Sequence, residues 1–189
     1  MVYPLDVTLR ADSARVRARM LDAARARLAA GDAELPLNAI AKDAGVGVGT
    51  VYRHFTGRQA LLESLAAESY RELIAAAAAA ADNPDIGAGL RDLLRAALRC
   101  QLADPALAAV LSAPDCECAE TLALGHELGT LSMQVLSRAR AAGVVRADVV
   151  ADDIRRLTCG LQHAIRSGGD HADTAIDRYL EIMLRGLRP

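Results

Sequence analysis

Tryptophan is absent from this 189-residue chain, and aromatic residues make up only 3% of it. A core without large rings has to be filled by Leu, Ala, Val and Ile, so any cavity inside it has aliphatic walls. Lysine is nearly missing as well, Lys42 being the only one among 22 basic residues. Because the arginine bias runs the length of the chain, it is compositional, and a single Arg says less about phosphate or base contact than it would elsewhere. No apolar run reaches the roughly 18 residues of a membrane-spanning helix, and the opening MVYPLDVTLRADSARVR lacks the apolar stretch and cleavage site of a secretory signal. A cytoplasmic protein with no membrane partner is expected. Its four cysteines are then read as reduced, small hydrophobic residues rather than a disulfide framework.

What is present is helical periodicity, with no alternating strand pattern. After an N-terminal arm, Asp12 or Ser13 can cap a first helix with an apolar face of Val16, Met20, Ala23, Ala24 and Leu28, ending near Gly31. Pro36 suits the first turn of the second helix. A long fourth helix is expected from about Gly57 to Ala81, closing on seven consecutive alanines, Ala75 to Ala81. Alanine's helix propensity and lack of bulk make this stretch stiff and open to close neighbours. Further helices are expected at about 86–102, 105–111, 119–142, 151–167 and 172–187, separated by Asp104-Pro105, Ala113-Pro114, Gly143 and Gly168-Gly169. Charge is uneven: residues 1–62 carry 9 basic and 6 acidic side chains, residues 63–189 carry 13 and 18. That change of sign marks a functional boundary.

Residues 40–62, IAKDAGVGVGTVYRHFTGRQALL, are the most informative part of the chain. Ile40, Ala41 and Ala44 give a short helix one apolar face, Gly45 supplies the backbone freedom of a sharp turn, and Val46 fills the angle. A second helix from Val48 to Phe55, about 11 Å long, has the size of a DNA major groove. Val51 and Phe55 face inward, which leaves Thr50, Tyr52, Arg53 and His54 as a polar face. With its IA..AGV, GT.Y.HF, Arg58 and Leu61-Leu62 pattern, this segment resembles the DNA-binding domain of the TetR family of transcriptional regulators. The resemblance covers residues 16–65 at motif level. It implies an all-α fold of about nine helices, with a helix-turn-helix domain over 1–56 and a ligand-binding and dimerisation domain over 57–189. It also implies a dimer on a palindromic operator in double-stranded DNA, released by a small-molecule effector. Arg53, Thr50 and Val48 then face base edges, while Tyr52, His54 and Arg58 meet phosphates. The Gly47-Val48-Gly49 entry offers few side chains for reading.

Two apolar stripes near the end of the chain, Ile154, Leu157, Leu161 and Ile165, then Ile176, Leu180, Met183, Leu184 and Leu187, invite a four-helix interface between protomers; the other reading is that both face their own core. Gly160 and Ala164 leave room for close approach. Polar handles for an effector are few, with Gln101, His126, Gln134 and His163 the candidates, so an aliphatic or modestly polar ligand is expected. Cys116 and Cys118 could form a redox or metal switch with His126. Acidic neighbours and a C-x-C spacing outside that of standard zinc sites oppose this. Cys100 and Cys159 are expected to be packing residues. The glycines of GVGVGT fail the dinucleotide pattern at Thr50. No Walker, G-x-S-x-G or H-E-x-x-H motif occurs, and His54, His126, His163 and His171 are scattered. No enzyme, cofactor or metal is expected. The alternatives left open are an enzyme of the helical half and a structural DNA-binding protein with a filled, cavity-free core.

Overall fold

The computed structural model describes residues 4–113, 115–168 and 172–189, with side chains from residue 11 onward. Pro114, Gly169 and His171 lie outside the described residues. Among those described, every regular element is a helix: α1 Pro4–Ala29, α2 Leu37–Asp43, α3 Val48–His54, α4 Arg58–Asp82, α5 Ile86–Ala103, α6 Pro105–Ser112, α7 Ala119–Ala141, α8 Ala151–Gly168 and α9 Ala172–Gly186. No helix is long and apolar enough to cross a membrane among the described residues. Contacts divide the chain into two compact units, residues 1–65 and 66–189, with α4 running through the division.

In the first unit, α1 starts earlier than its cap signals suggest. Pro4 is the first described residue and is already helical, and no glycine or proline interrupts the chain until Gly31. Asp12 and Ser13 are therefore inside the helix, and Asp12 pairs instead with Arg15 on the exposed surface. The α1 face does follow its pattern, with Met20, Leu21 and Ala24 buried. Between α1 and α2, Leu35 takes a left-handed φ of 47° and is fully buried. A non-glycine residue in this region costs about 1–2 kcal/mol, which the burial of a whole leucine side chain can offset. Arg27 holds the surrounding loop. It binds Asp32 at 2.7 Å and Asp43, the last residue of α2, at 2.6 Å. Those two carboxylates hold the Arg27 guanidinium above its ordinary pKa, and Arg27 in turn holds Asp32 below the usual carboxylate range.

The second unit is organised around α5. Asp85 caps its start through Ala88 N–H at 3.0 Å. Asp104 ends it and opens α6, accepting from Ala106 and Leu107 N–H at 2.8 and 3.3 Å, with Pro105 next in line. Ser69 of α4 donates to the same Asp104 carboxylate at 2.6 Å, so this part of α4 lies beside the end of α5. Gly89 marks a close approach of these helices: a Cβ there would sit 2.9 Å from the Ala80 carbonyl oxygen. Arg138 of α7 satisfies two carbonyls at the end of α4, those of Ala81 and Asn83. On the other side, Arg95 and Arg99 reach Asp177 and Asp173 of α9 at 2.7 and 2.9 Å.

Packing settles where the α8 and α9 stripes point. Ile176, Leu180, Met183, Leu184 and Leu187 are buried within their own chain, as is Ile165. Ile154 and Leu161 are half-buried against the same core. Of the seven residues expected between protomers, only Leu157 stands free, 45% exposed. The α9 stripe is consumed by α5, because a helix that flanks the central one has to give it an apolar face. The exposed apolar and small residues of the pair include Leu157, Gly160 and Ala164 on α8 and Ile182 on α9, the last 58% exposed.

Candidate functional site

Gly45, with φ of 63°, makes the turn between α2 and α3. A Cβ there would meet nothing within 4 Å, so glycine is required by the backbone and not by crowding. Val46 N–H closes the turn on the Ala41 carbonyl at 3.0 Å. From this turn α3 buries Val51, and Phe55 is buried just past its end, at an extended φ of −135°. The Arg17 guanidinium lies 5.5 Å over the Phe55 ring and donates to Ser64 at 2.9 Å. The inner side of α3 is thus fixed by α1 and the start of α4.

Its outer side presents Val48, Tyr52 and Arg53, with Thr50 and His54 half-buried at the edges. Arg53 lies along its own helix, donating to Gly49 O at 3.3 Å and Thr50 Oγ1 at 3.1 Å. Both acceptors are local groups on its own helix at the surface end of the side chain, so little opposes its swing toward a base edge. Gly49 has open space around it. Arg58 behaves differently from the phosphate contact expected of it. Its Nε and one terminal nitrogen both bind Ala33 O, at 3.1 and 2.8 Å, so the fork braces the α1–α2 loop.

The second unit holds a cavity of about 380 Å³. Leu90, Leu93, Leu94, Leu128, Leu136 and Ile154 form much of its wall, as the shortage of aromatics led us to expect. Of the four expected polar handles, only Gln101 lines it. His126, Gln134 and His163 are exposed outside it. Sequence reasoning missed Tyr70, Ser132, Thr158 and Cys159, which do line it. Tyr70 sits three residues before Leu73 on the apolar side of α4, and that spacing was the available signal. Cys159 is correspondingly not a simple packing residue: it faces the cavity, and its Sγ donates to Gln101 Oε1 at 3.8 Å. Cys100, by contrast, has a thiol pushed up chiefly by burial, with Glu72 and Asp104 nearby. Cys116 and Cys118 lie in the approach to α7, with Cys118 at its N-cap. Among the described residues no group of three or more His, Cys, Asp or Glu side chains could hold a metal ion.

An amino-terminal unit whose glycine-turned second helix exposes a polar face is a helix-turn-helix DNA-binding domain. Residues 20–65 match the bacterial regulatory proteins of the tetR family, and residues 85–189 match the C-terminal domain of SbtR-like transcriptional regulators. The chain belongs to the TetR family of transcriptional regulators, whose members are not enzymes. Among solved structures it is similar to a TetR transcription regulatory protein from Mycobacterium vanbaalenii, with 31% identity over 96% of this chain and 99% of that one and a TM-score of 0.50. A TetR regulator from Streptomyces coelicolor is 25% identical over 92% and 98% of the two chains, with a TM-score of 0.54. A protein of unknown function from Rhodococcus sp. RHA1 is 25% identical over 92% and 96%, with a TM-score of 0.60. No curated protein matches the chain.

Proposed function

We propose that this regulator is a ligand-responsive repressor that binds a palindromic operator as a homodimer and leaves it when a small molecule enters the second unit. The observation that carries this reading is the coexistence of an exposed reading face on α3 and an apolar cavity of about 380 Å³ in the other unit. A structural DNA-binding protein without an effector has no use for such a cavity. Tyr70 and Leu73 of α4 line the cavity, while Leu61 and Leu62 of the same helix are core residues of the first unit. A ligand that favours one setting of α4 therefore acts on the reading head, and only its differential affinity for the two settings can shift the balance.

On DNA, Arg53 reads a guanine edge, Val48 touches a thymine methyl, and Thr50, Tyr52 and His54 bind at phosphates and base edges. Two such heads one helical turn apart require a dimer. For its surface the reading uses the outer faces of α8 and α9 around Leu157, Gly160, Ala164 and Ile182, in place of the buried stripe. Selecting sites from random duplex DNA with the purified protein tests the whole reading. An inverted repeat bound by a dimer is the expected result; half-sites bound by monomers, or no sequence preference, would overturn it.

A further inference from the structure

The cavity's polar groups define the chemistry of what it holds. Gln101 is 2% exposed, and its Oε1 accepts the Cys159 thiol, which turns the amide nitrogen away. That nitrogen donates no hydrogen bond among the described residues. It is also not sealed in, since the buried side-chain polar atom left without a partner is Arg140 Nε. A nearly buried amide donor is therefore open to the cavity and unused, at a cost to the empty protein. Tyr70 belongs to the same end. Ser69, its neighbour, is bonded to Asp104 three residues beyond Gln101, so the two stretches run side by side. Burial, and secondarily Cys116, pushes the Tyr70 phenol up, which keeps it neutral. Along α5 from Gln101 the lining becomes Ala97, Leu94, Leu93 and Leu90, an apolar run away from the polar end.

The charged lining residues are satisfied already. Asp152 accepts from Arg155 at 2.6 Å through one oxygen and from Arg156 at 2.6 Å through the other. Each Arg155 nitrogen already holds the Asp152 carboxylate or the Leu111 carbonyl. Among the described lining residues the one carboxylate and the one guanidinium are already paired, so a charged ligand would have to compete with an existing ion pair. Burying either unpaired is costly.

We propose that the effector is a neutral lipophile carrying a hydrogen-bond acceptor, an ester or ketone on a medium-length aliphatic body. Its carbonyl oxygen accepts from the Gln101 amide, and its chain lies along Leu94, Leu93 and Leu90. This rests on the repressor reading above, and the test separates the two. Methyl octanoate, octanoate and octylamine share one chain and differ in charge and hydrogen bonding, so they serve as probes in thermal shift and in binding titrations with the full-length protein. The ester is expected to raise the melting temperature, and the two charged probes to have no comparable effect. Gln101→Leu should weaken ester binding about three- to tenfold. The same variant should melt, without ligand, at or above the wild-type temperature, because it removes an unpartnered buried donor.

Equal or better stabilisation by octanoate or octylamine, no binding by any probe, or unchanged ester affinity in Gln101→Leu would each overturn the ligand class. If Gln101→Leu instead melts well below wild type, the amide is a structural group and the proposal falls. The repressor reading is scored separately, on DNA selected by the protein itself. Ester binding that leaves DNA affinity unchanged removes that reading and keeps the ligand class.

Discussion

In residues 1–65 polar side chains brace backbone, whereas in residues 66–189 the core leaves a space and an amide with nothing to bind. Arg27 bridges Asp32 and Asp43, Arg58 clamps the Ala33 carbonyl, and Arg17 covers Phe55. These contacts fix the turn that aims α3. The second unit surrounds about 380 Å³ largely with leucines and sets Gln101 in the wall, its Oε1 taken by the Cys159 thiol. A reader of a fixed duplex shape gains from rigidity. A sensor gains from an incompletely satisfied interior, because unmade contacts are what a ligand can supply.

The sharpest way to break the comparison is to charge the two sides of the α8–α9 pair. Leu180→Glu puts an unpaired carboxylate into the packed core and should cost more than about 3 kcal/mol, abolishing the folded second unit in circular dichroism melts. Ile182→Glu, on the outer surface, should leave the melt of the monomer intact and shift light scattering from dimer to monomer. A well-folded Leu180→Glu dimer would return that stripe to the interface.

Glycines test packing in the second unit against space in the first. Gly89→Ala forces a Cβ to within 2.9 Å of the Ala80 carbonyl oxygen and should destabilise by about 1–3 kcal/mol in urea titrations. Gly49→Ala meets open space on α3 and should stabilise by about 0.5–1 kcal/mol through helix propensity alone. If the two substitutions have equal effects, the close approach of α4 and α5 is not as tight as described.

Within the reading head, two arginines should separate by function. Arg53→Ala should weaken binding to the selected site by about 1–3 kcal/mol, relax preference at one symmetric pair of positions, and leave the melting temperature unchanged. Arg58→Ala should lower thermal stability, since it frees the loop at Ala33. Arg58→Ala that keeps its melting temperature but loses affinity for all duplexes alike would restore the phosphate role.

The smallest expected effect is one the two units share. Arg27 lowers the pKa of Asp32 in the first, and Arg155 with Arg156 lowers that of Asp152 in the second. A carboxyl group with a depressed folded-state pKa adds stability that is fully present above its unfolded value of about 3.9 and is lost as pH falls through the lower folded value. Both sites are exposed, so the loss between about pH 5 and about pH 3 should be slight. Asp32→Asn and Asp152→Asn should each flatten the acid limb of the melting curve by a similar amount. Flattening by neither variant would remove the ion pairs from the account.

The nine helices among the described residues and the reading face follow from local pattern alone, since a turn glycine, caps such as Asp85 and Asp104, and 3.6-residue spacing act on neighbours in sequence. The boundaries of α5 to α9 fall within about two residues of their punctuation for the same reason. Local pattern failed at α1, where cap residues were absorbed into a helix that could start earlier. It also failed wherever a side chain had to choose between long-range partners. Whether Arg58 turns to a phosphate or to Ala33, whether Leu180 faces a second protomer or α5, and which of Gln101, His126, Gln134 and His163 sees the cavity are not properties of spacing. Each depends on which helix arrives beside the residue, and an apolar stripe or a polar handle looks the same in sequence whichever helix that is. Sequence determined the helices and the head that reads DNA; packing around α5 decided which surfaces were left free and which polar side chains line the cavity.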